Sequence, residues 1–184
     1  MKNMKNTKNM KAKSAALLAA AAMAMSCSAT HGGADTNAAP ERIGVYDSRI
    51  VAYAHFVSEA QQRKLNEEIK AARDAQAAGQ TNQFQELSAV LKKKQDQIHL
   101  QGFSTAPIED VLTEIRDQLP AIEKEAGVSK LICKWDKEAL KLHPKAEQVD
   151  VTDALARLFK PNAEHLKVMD QLKRSKPVPL DQMK

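Results

Sequence analysis

The chain is predicted to fold as α+β: mostly helical, with a small β-sheet body from which an antiparallel helical hairpin protrudes. Three observations predict this. Only two segments carry a convincing strand pattern, Arg42–Tyr46 and residues 128–135, and about eighty residues separate them. Everything between them has the spacing of helix. The block 127–159 then closes the chain with a strand, a polar loop and a last amphipathic helix opened by Val149-Asp150-Val151-Thr152-Asp153.

The N-terminus reads as a secretion signal. Five lysines, Lys2, Lys5, Lys8, Lys11 and Lys13, precede an apolar run at 15–25 that is too short to span a bilayer. Of 28 Lys+Arg and 23 Asp+Glu, these five lysines precede Cys27, so the mature chain carries 23 bases against 23 acids. The formal +5 belongs to the signal, and a nucleic-acid function loses its electrostatic basis. Ala24-Met25-Ser26-Cys27 resembles a bacterial lipobox, with Ala where Leu is usual and Met two residues before the cysteine. Lipidation of Cys27 and ordinary cleavage after Ala24 or Ala29 both fit. The expected organisation is a signal at 1–27, a flexible small-residue tether at 28–41, one domain at 42–160, and a C-terminal helix with a disordered tail at 161–184. Cys133, the other thiol, is expected to pack as a small hydrophobe.

Within the domain, Arg42-Ile43-Gly44-Val45-Tyr46 is the first strand, and Asp47 or Ser48 caps the helix after it. Helical pattern continues to Ala78 with a break near His55, and Leu65, Ile69 and Ala72 form a narrow apolar stripe. Gly79 ends it, and Thr81 or Asn82 is expected to cap a second helix running to Gln101. Its seam is Phe84, Leu87, Leu91, Lys94 and Ile98, a heptad pattern with one lysine. The hairpin therefore covers about residues 56–101. Arms of about twenty residues at ~1.5 Å each project it roughly 30 Å. Gly102–Pro107 interrupts this pattern before a third helix at 108–126, whose Ile108, Leu112, Ile115, Leu119, Ile122 and Ala126 face a core. Pro120 is expected to kink it and Gly127 to stop it.

On the second strand, Leu131, Cys133 and Trp135 should face the core and Lys130, Ile132 and Lys134 a wetter side. Val149 and Val151 add an edge strand, and Thr152 caps a helix at 153–159 with Leu155, Leu158 and Phe159 buried. A further helix at 162–175 carries Leu166, Met169 and Leu172, and the proline-containing tail from Lys176 is expected to be disordered.

Together these parts resemble the Skp/OmpH family of periplasmic chaperones. The resemblance rests on Ile43-Gly44-Val45-Tyr46-Asp47, the returning helix 108–126, Gly127-Val128-Ser129-Lys130-Leu131-Ile132-Cys133, and Asp150-Val151-Thr152-Asp153-Ala154-Leu155. It implies a periplasmic holdase for unfolded outer-membrane or envelope proteins, with no catalysis, no cofactor and trimerisation through the sheet. Two features depart from the family: the mature charge is neutral where family members are basic, and the hairpin is short. The alternative is a lipoprotein, anchored through Cys27, that uses the same hairpin as an envelope scaffold or adaptor.

No catalytic pattern competes. The histidines, His31, His55, His99, His143 and His165, are scattered, with no metal-ligand spacing, and neither a phosphate-cradling glycine loop nor a nucleophile elbow occurs. Lys92-Lys93-Lys94 is the one basic cluster, read either as a contact for clients or lipid headgroups or as a solvated helix face.

Overall fold

The computed structural model describes residues 40–183. Three short strands, β1 (Arg42–Tyr46), β2 (Leu131–Cys133) and β3 (Glu147–Asp150), form one sheet in the order β2-β1-β3, and both pairings are parallel. Parallel neighbours require crossover connections. The β1–β2 crossover holds the whole helical excursion, and that between β2 and β3 holds the short helix 137–141.

Gly44 sits opposite Leu131 on one side and Val149 on the other. A Cβ there would lie 2.8 Å from Leu131 Cδ2 and 3.2 Å from the Cγ2 atoms of Val128 and Val151. The close approach of three apolar side chains thus requires a glycine. Tyr46, Leu131, Cys133 and Val149 pack on this face with Ile108, Val111, Ile115 and Ile122. On the opposite face Ile43 and Ile132 are also buried. This corrects the wet side expected around Ile132, and it follows from parallel pairing, which leaves β1 central and covered on both faces.

Helix α1 (Ser48–Phe56) starts at Asp47, whose carboxylate accepts from Arg49 N. The helical pattern breaks at Val57–Ser58, two residues beyond the break expected near His55. Ser58 then caps α2 (Glu59–Ala77) by accepting from Gln61 N. Gly79 turns the chain at φ +70°, and α3 (Thr81–Phe103) runs back. Neither Thr81 nor Asn82 caps α3: both lie inside it, and Gln80 precedes it without a side-chain bond. The turn is closed instead by Gln80 N donating to Ala75 O. Gly102 does not interrupt α3, which ends at Ser104, whose N–H still reaches Leu100 O.

The third helix is not continuous. It divides into α4 (Glu109–Glu114), a 3₁₀ turn at Arg116–Gln118 and α5 (Leu119–Ala126). Pro120 lies in the first turn of α5, where its missing N–H costs nothing, so it begins a helix rather than kinking one. Of the six positions expected to face the core, Ile108, Ile115 and Ile122 are buried, and Leu112, Leu119 and Ala126 pack against them partly exposed. Val111, outside the expected period, is buried with them. Gly127 stops α5 in the left-handed region at φ +63°. A Cβ on Gly127 would also lie 2.7 Å from Arg42 Nη1, the group that donates to Ala126 O. Gly127→Ala is expected to cost about 1 kcal/mol or more, read as a lower urea midpoint with unchanged slope.

After β2, α6 (Lys137–Lys141) is capped by Asp136. Helix α7 (Thr152–Arg157) follows β3, and here Thr152 departs from its expected capping role. Asp150 Oδ1 accepts from Thr152 N, while the Thr152 hydroxyl accepts from Asp47 N across the body. Helix α8 (Ala163–Arg174) begins with a capping box between Asn162 and His165 and lays Met169 against α1. The tail beyond α8 is paired, contrary to the disorder expected. Val178 bridges Ser104 in parallel, and a 3₁₀ turn spans Leu180–Gln182. Its proline-containing composition conceals partners more than seventy residues away.

The core has two clusters. One joins sheet, α4, α5 and α7; the other joins Ile50, Ala54, Ala156 and Met169 beneath α8. Among the described residues, no helix is long and apolar enough to cross a membrane.

Candidate functional site

The α2–α3 pair is only half dry. Its buried residues are Ala72, Ala75 and Gln101, whereas Leu65, Ile69, Phe84, Leu87, Leu91 and Ile98 are all partly exposed. The buried alanines belong to α2 alone, and the larger side chains of both helices fringe the seam. Lys94, the seam lysine, turns its ammonium onto Glu68 of the opposite arm. Gln101 Nε2 donates to Asp110 Oδ1 at 2.7 Å and to Pro107 O at 3.3 Å, fastening α3 to the start of α4.

Where the hairpin joins the body, a groove of about 880 Å³ opens between α1, α2, α3 and α8. Phe56, Leu65, Leu91, Ile98, Phe103 and Leu172 give it apolar walls. Lys64, Lys92, Asp110 and Glu114 stand among its polar residues. A second hollow of about 380 Å³ shares Phe103, Val168 and Leu172 with the groove and reaches Arg49 and Val178. Phe103 is 54% exposed, unusual for a phenylalanine at the root of a helix pair.

A buried charge cluster holds the base of this region. Arg49 donates to both oxygens of Asp47, Nε to Oδ1 at 3.1 Å and Nη2 to Oδ2 at 2.8 Å. Lys134 Nζ lies 2.6 Å from Asp47 Oδ2, and Trp135 Nε1 donates to Oδ1 at 3.3 Å. The Arg49 guanidinium also stacks 5.3 Å from the Trp135 ring centroid. Asp47 and Arg49 are each 1% exposed. Burial by itself raises the Asp47 pKa, but the bonds from Arg49 and Lys134 outweigh it and hold the carboxyl below its ordinary value. Arg49 Nη1 then donates to Ser175 O and Oγ, both at 3.2 Å, so one side chain ties β1, α1 and the segment after α8.

The lysine run does not form a patch. Successive helical residues point about 100° apart, so three in a row cannot share a face. Lys92 pairs with Asp96 one turn on, Lys93 is exposed, and Lys94 faces Glu68. Cys27 lies outside the described residues. Of the histidines, His31 also lies outside them. His55 meets Glu114 at 3.0 Å, His143 meets Glu41 at 3.0 Å, and His99 packs edgewise on Phe103. Among the described residues, no group of three or more His, Cys, Asp or Glu is placed to hold a metal ion. The arrangement offers an apolar trough with a polar rim, chemistry suited to retaining apolar chain.

Compared with protein-family models, curated proteins and solved structures, the chain shows no match.

Proposed function

We propose that the chain is a non-catalytic extracytoplasmic holdase of Skp/OmpH-like type, retaining apolar stretches of unfolded outer-membrane or envelope proteins. The observation that carries this reading is the groove at the hairpin root, with its partly exposed Leu65, Leu91 and Ile98. Apolar surface that the hairpin leaves wet is available to a client, and each apolar side chain that a client buries there contributes about 1.5–3 kcal/mol at full burial. The lysine-rich and then apolar N-terminus, read as a secretion signal, supports a periplasmic setting, where envelope precursors travel unfolded.

The test is suppression of aggregation of a urea-denatured outer-membrane β-barrel by the purified mature chain. Leu65→Asp and Leu91→Asp, which sit at the wet edge of the seam, should lose the effect several-fold while far-UV circular dichroism stays unchanged. A mature chain inert at several-fold excess sinks the reading. Light scattering on the same sample should give a trimer if subunits together enclose the client.

The scaffold alternative gains from one observation. Lys92 and Lys94 are engaged by Asp96 and Glu68, which takes two of the three lysines of the run out of a free cationic surface. Incorporation of a palmitate analogue, abolished by Cys27→Ala, would support anchoring; an unlabelled, soluble product would remove it.

A further inference from the structure

The tail after α8 is bound to the body as an extended peptide would be. Val178 N donates to Phe103 O at 2.9 Å, and Thr105 N donates to Val178 O at 3.3 Å, so the tail adds one residue of parallel ladder to the chain just past α3. Its upstream end is anchored by the two Arg49–Ser175 bonds. Beyond that anchor its apolar grip is slack. Val178 and Leu180 remain 38% and 44% exposed, beside a Phe103 that is itself half bare. The 380 Å³ hollow lined by Phe103, Leu172, Lys176 and Val178 shows that the tail leaves part of this surface unfilled. Pro177 and Pro179 flank Val178 and restrict the unbound tail to extended conformations, which lowers the ordering cost of docking.

We propose that residues 176–183 are a displaceable internal ligand, and that Phe103–Thr105 with the adjoining hollow forms a docking edge for an extended apolar polypeptide segment supplied in trans. Main-chain bonds to Phe103 and Thr105 give the incoming segment its alignment, as in strand addition, and a side chain at the Val178 position meets Phe103 and Leu172. The occupant is the same class of ligand as the tail itself: extended, apolar and without a required sequence. Its identity as an unfolded client rests on the holdase reading. The existence of the docking edge does not.

The experiment uses the full mature chain, a chain ending after Lys176, which keeps Ser175 and its Arg49 bonds, and full-length Val178→Pro, which removes the N–H donated to Phe103. The probe is a fluorescein-labelled peptide of residues 176–184, read by anisotropy. The shortened chain and Val178→Pro should bind it several-fold tighter than the full chain, whose own tail holds the edge. An unlabelled peptide of alternating Val and Thr should displace it. No binding by either variant, with folding verified by circular dichroism, overturns the docking edge. Binding that the Val/Thr peptide does not compete overturns its role for segments in trans. A full-length dimer that dissolves on truncation assigns the tail to exchange between copies and overturns the proposal. Displacement that persists in a chain inert toward the denatured barrel sinks the holdase reading and supports the docking edge.

Discussion

Asp47→Ala should be the most damaging single substitution in the body. Among the described residues it removes the only carboxylate held by Arg49, leaving a guanidinium that is 98% shielded at the side chain without its counter-charge. Breaking a buried pair from one side costs about 3–5 kcal/mol. The same change deletes the α1 cap and the acceptor for Trp135 Nε1. For a domain of this size, that corresponds to a melting temperature roughly 10 °C lower. Asp47→Asn keeps the shape and one acceptor and should fall between wild type and Asp47→Ala. The pH dependence follows from the depressed pKa. Since the folded-state value lies below the unfolded one, the stabilisation is complete above the ordinary aspartate range near ~4. It is lost progressively as the pH falls through the folded-state value. Urea midpoints between neutral pH and acid should therefore fall for wild type, and Asp47→Asn should lack that component of the slope. An equal slope in both proteins would show that Asp47 is not the group responsible.

Leu155→Ala should follow closely. Helix α7 has only six residues, too few to persist alone, so its stability comes from what it buries. Leu155 is 0% exposed in the sheet-side cluster and Ala156 is 0% exposed in the α8-side cluster, which makes α7 the wedge between the two. Truncating a fully buried leucine costs about 2–5 kcal/mol. The upper part of that range is expected here, because the sheet on one side and α1 on the other limit collapse into the space. Leu142→Ala is the control: Leu142 is 77% exposed, so its removal should change stability by less than about 0.5 kcal/mol. A cost for Leu155→Ala no larger than that of Leu142→Ala would rule out α7 as a wedge.

The local features of the fold were legible because their causes are local. Gly127 ends α5 in the left-handed region where a glycine was expected, and the period from Ile108 to Ile122 marked the face that became core. Strand β1 was visible, as was the edge strand at Val149. What escaped depends on distant partners. The tail has the composition of a disordered segment, and nothing near it in sequence announces Phe103, Thr105 or Arg49. Thr152 has the pattern of a cap, yet its hydroxyl serves Asp47, 105 residues away. Asp47 was legible as a cap but not as the centre of a charge cluster; the short spacing to Arg49 and the presence of a single tryptophan were the available signals. The groove was the least legible feature. Leu65, Leu91 and Ile98 have the spacing of a sealed hairpin seam, yet all three stay partly exposed at its margin. Lys92–Lys94 stood out as a run, but helical rotation disperses it.

The placement of the hairpin inside the β1–β2 crossover governs the order in which the protein acquires its structure. Ser129 Oγ reaches Arg42 O across 87 residues, so neither sheet ladder exists until almost the whole excursion has been traversed. Helices α2 and α3 close over a three-residue turn and need nothing else, and such local contacts form on the microsecond scale. Sheet closure is a separate, long-range event that adds loop-closure entropy and slows the final step. During synthesis from the N-terminus, β1 emerges first and stays without either neighbour until residues 131 and then 147 arrive. For that interval the growing chain carries an unpaired strand, while the local contacts of the hairpin need none of the residues still to come.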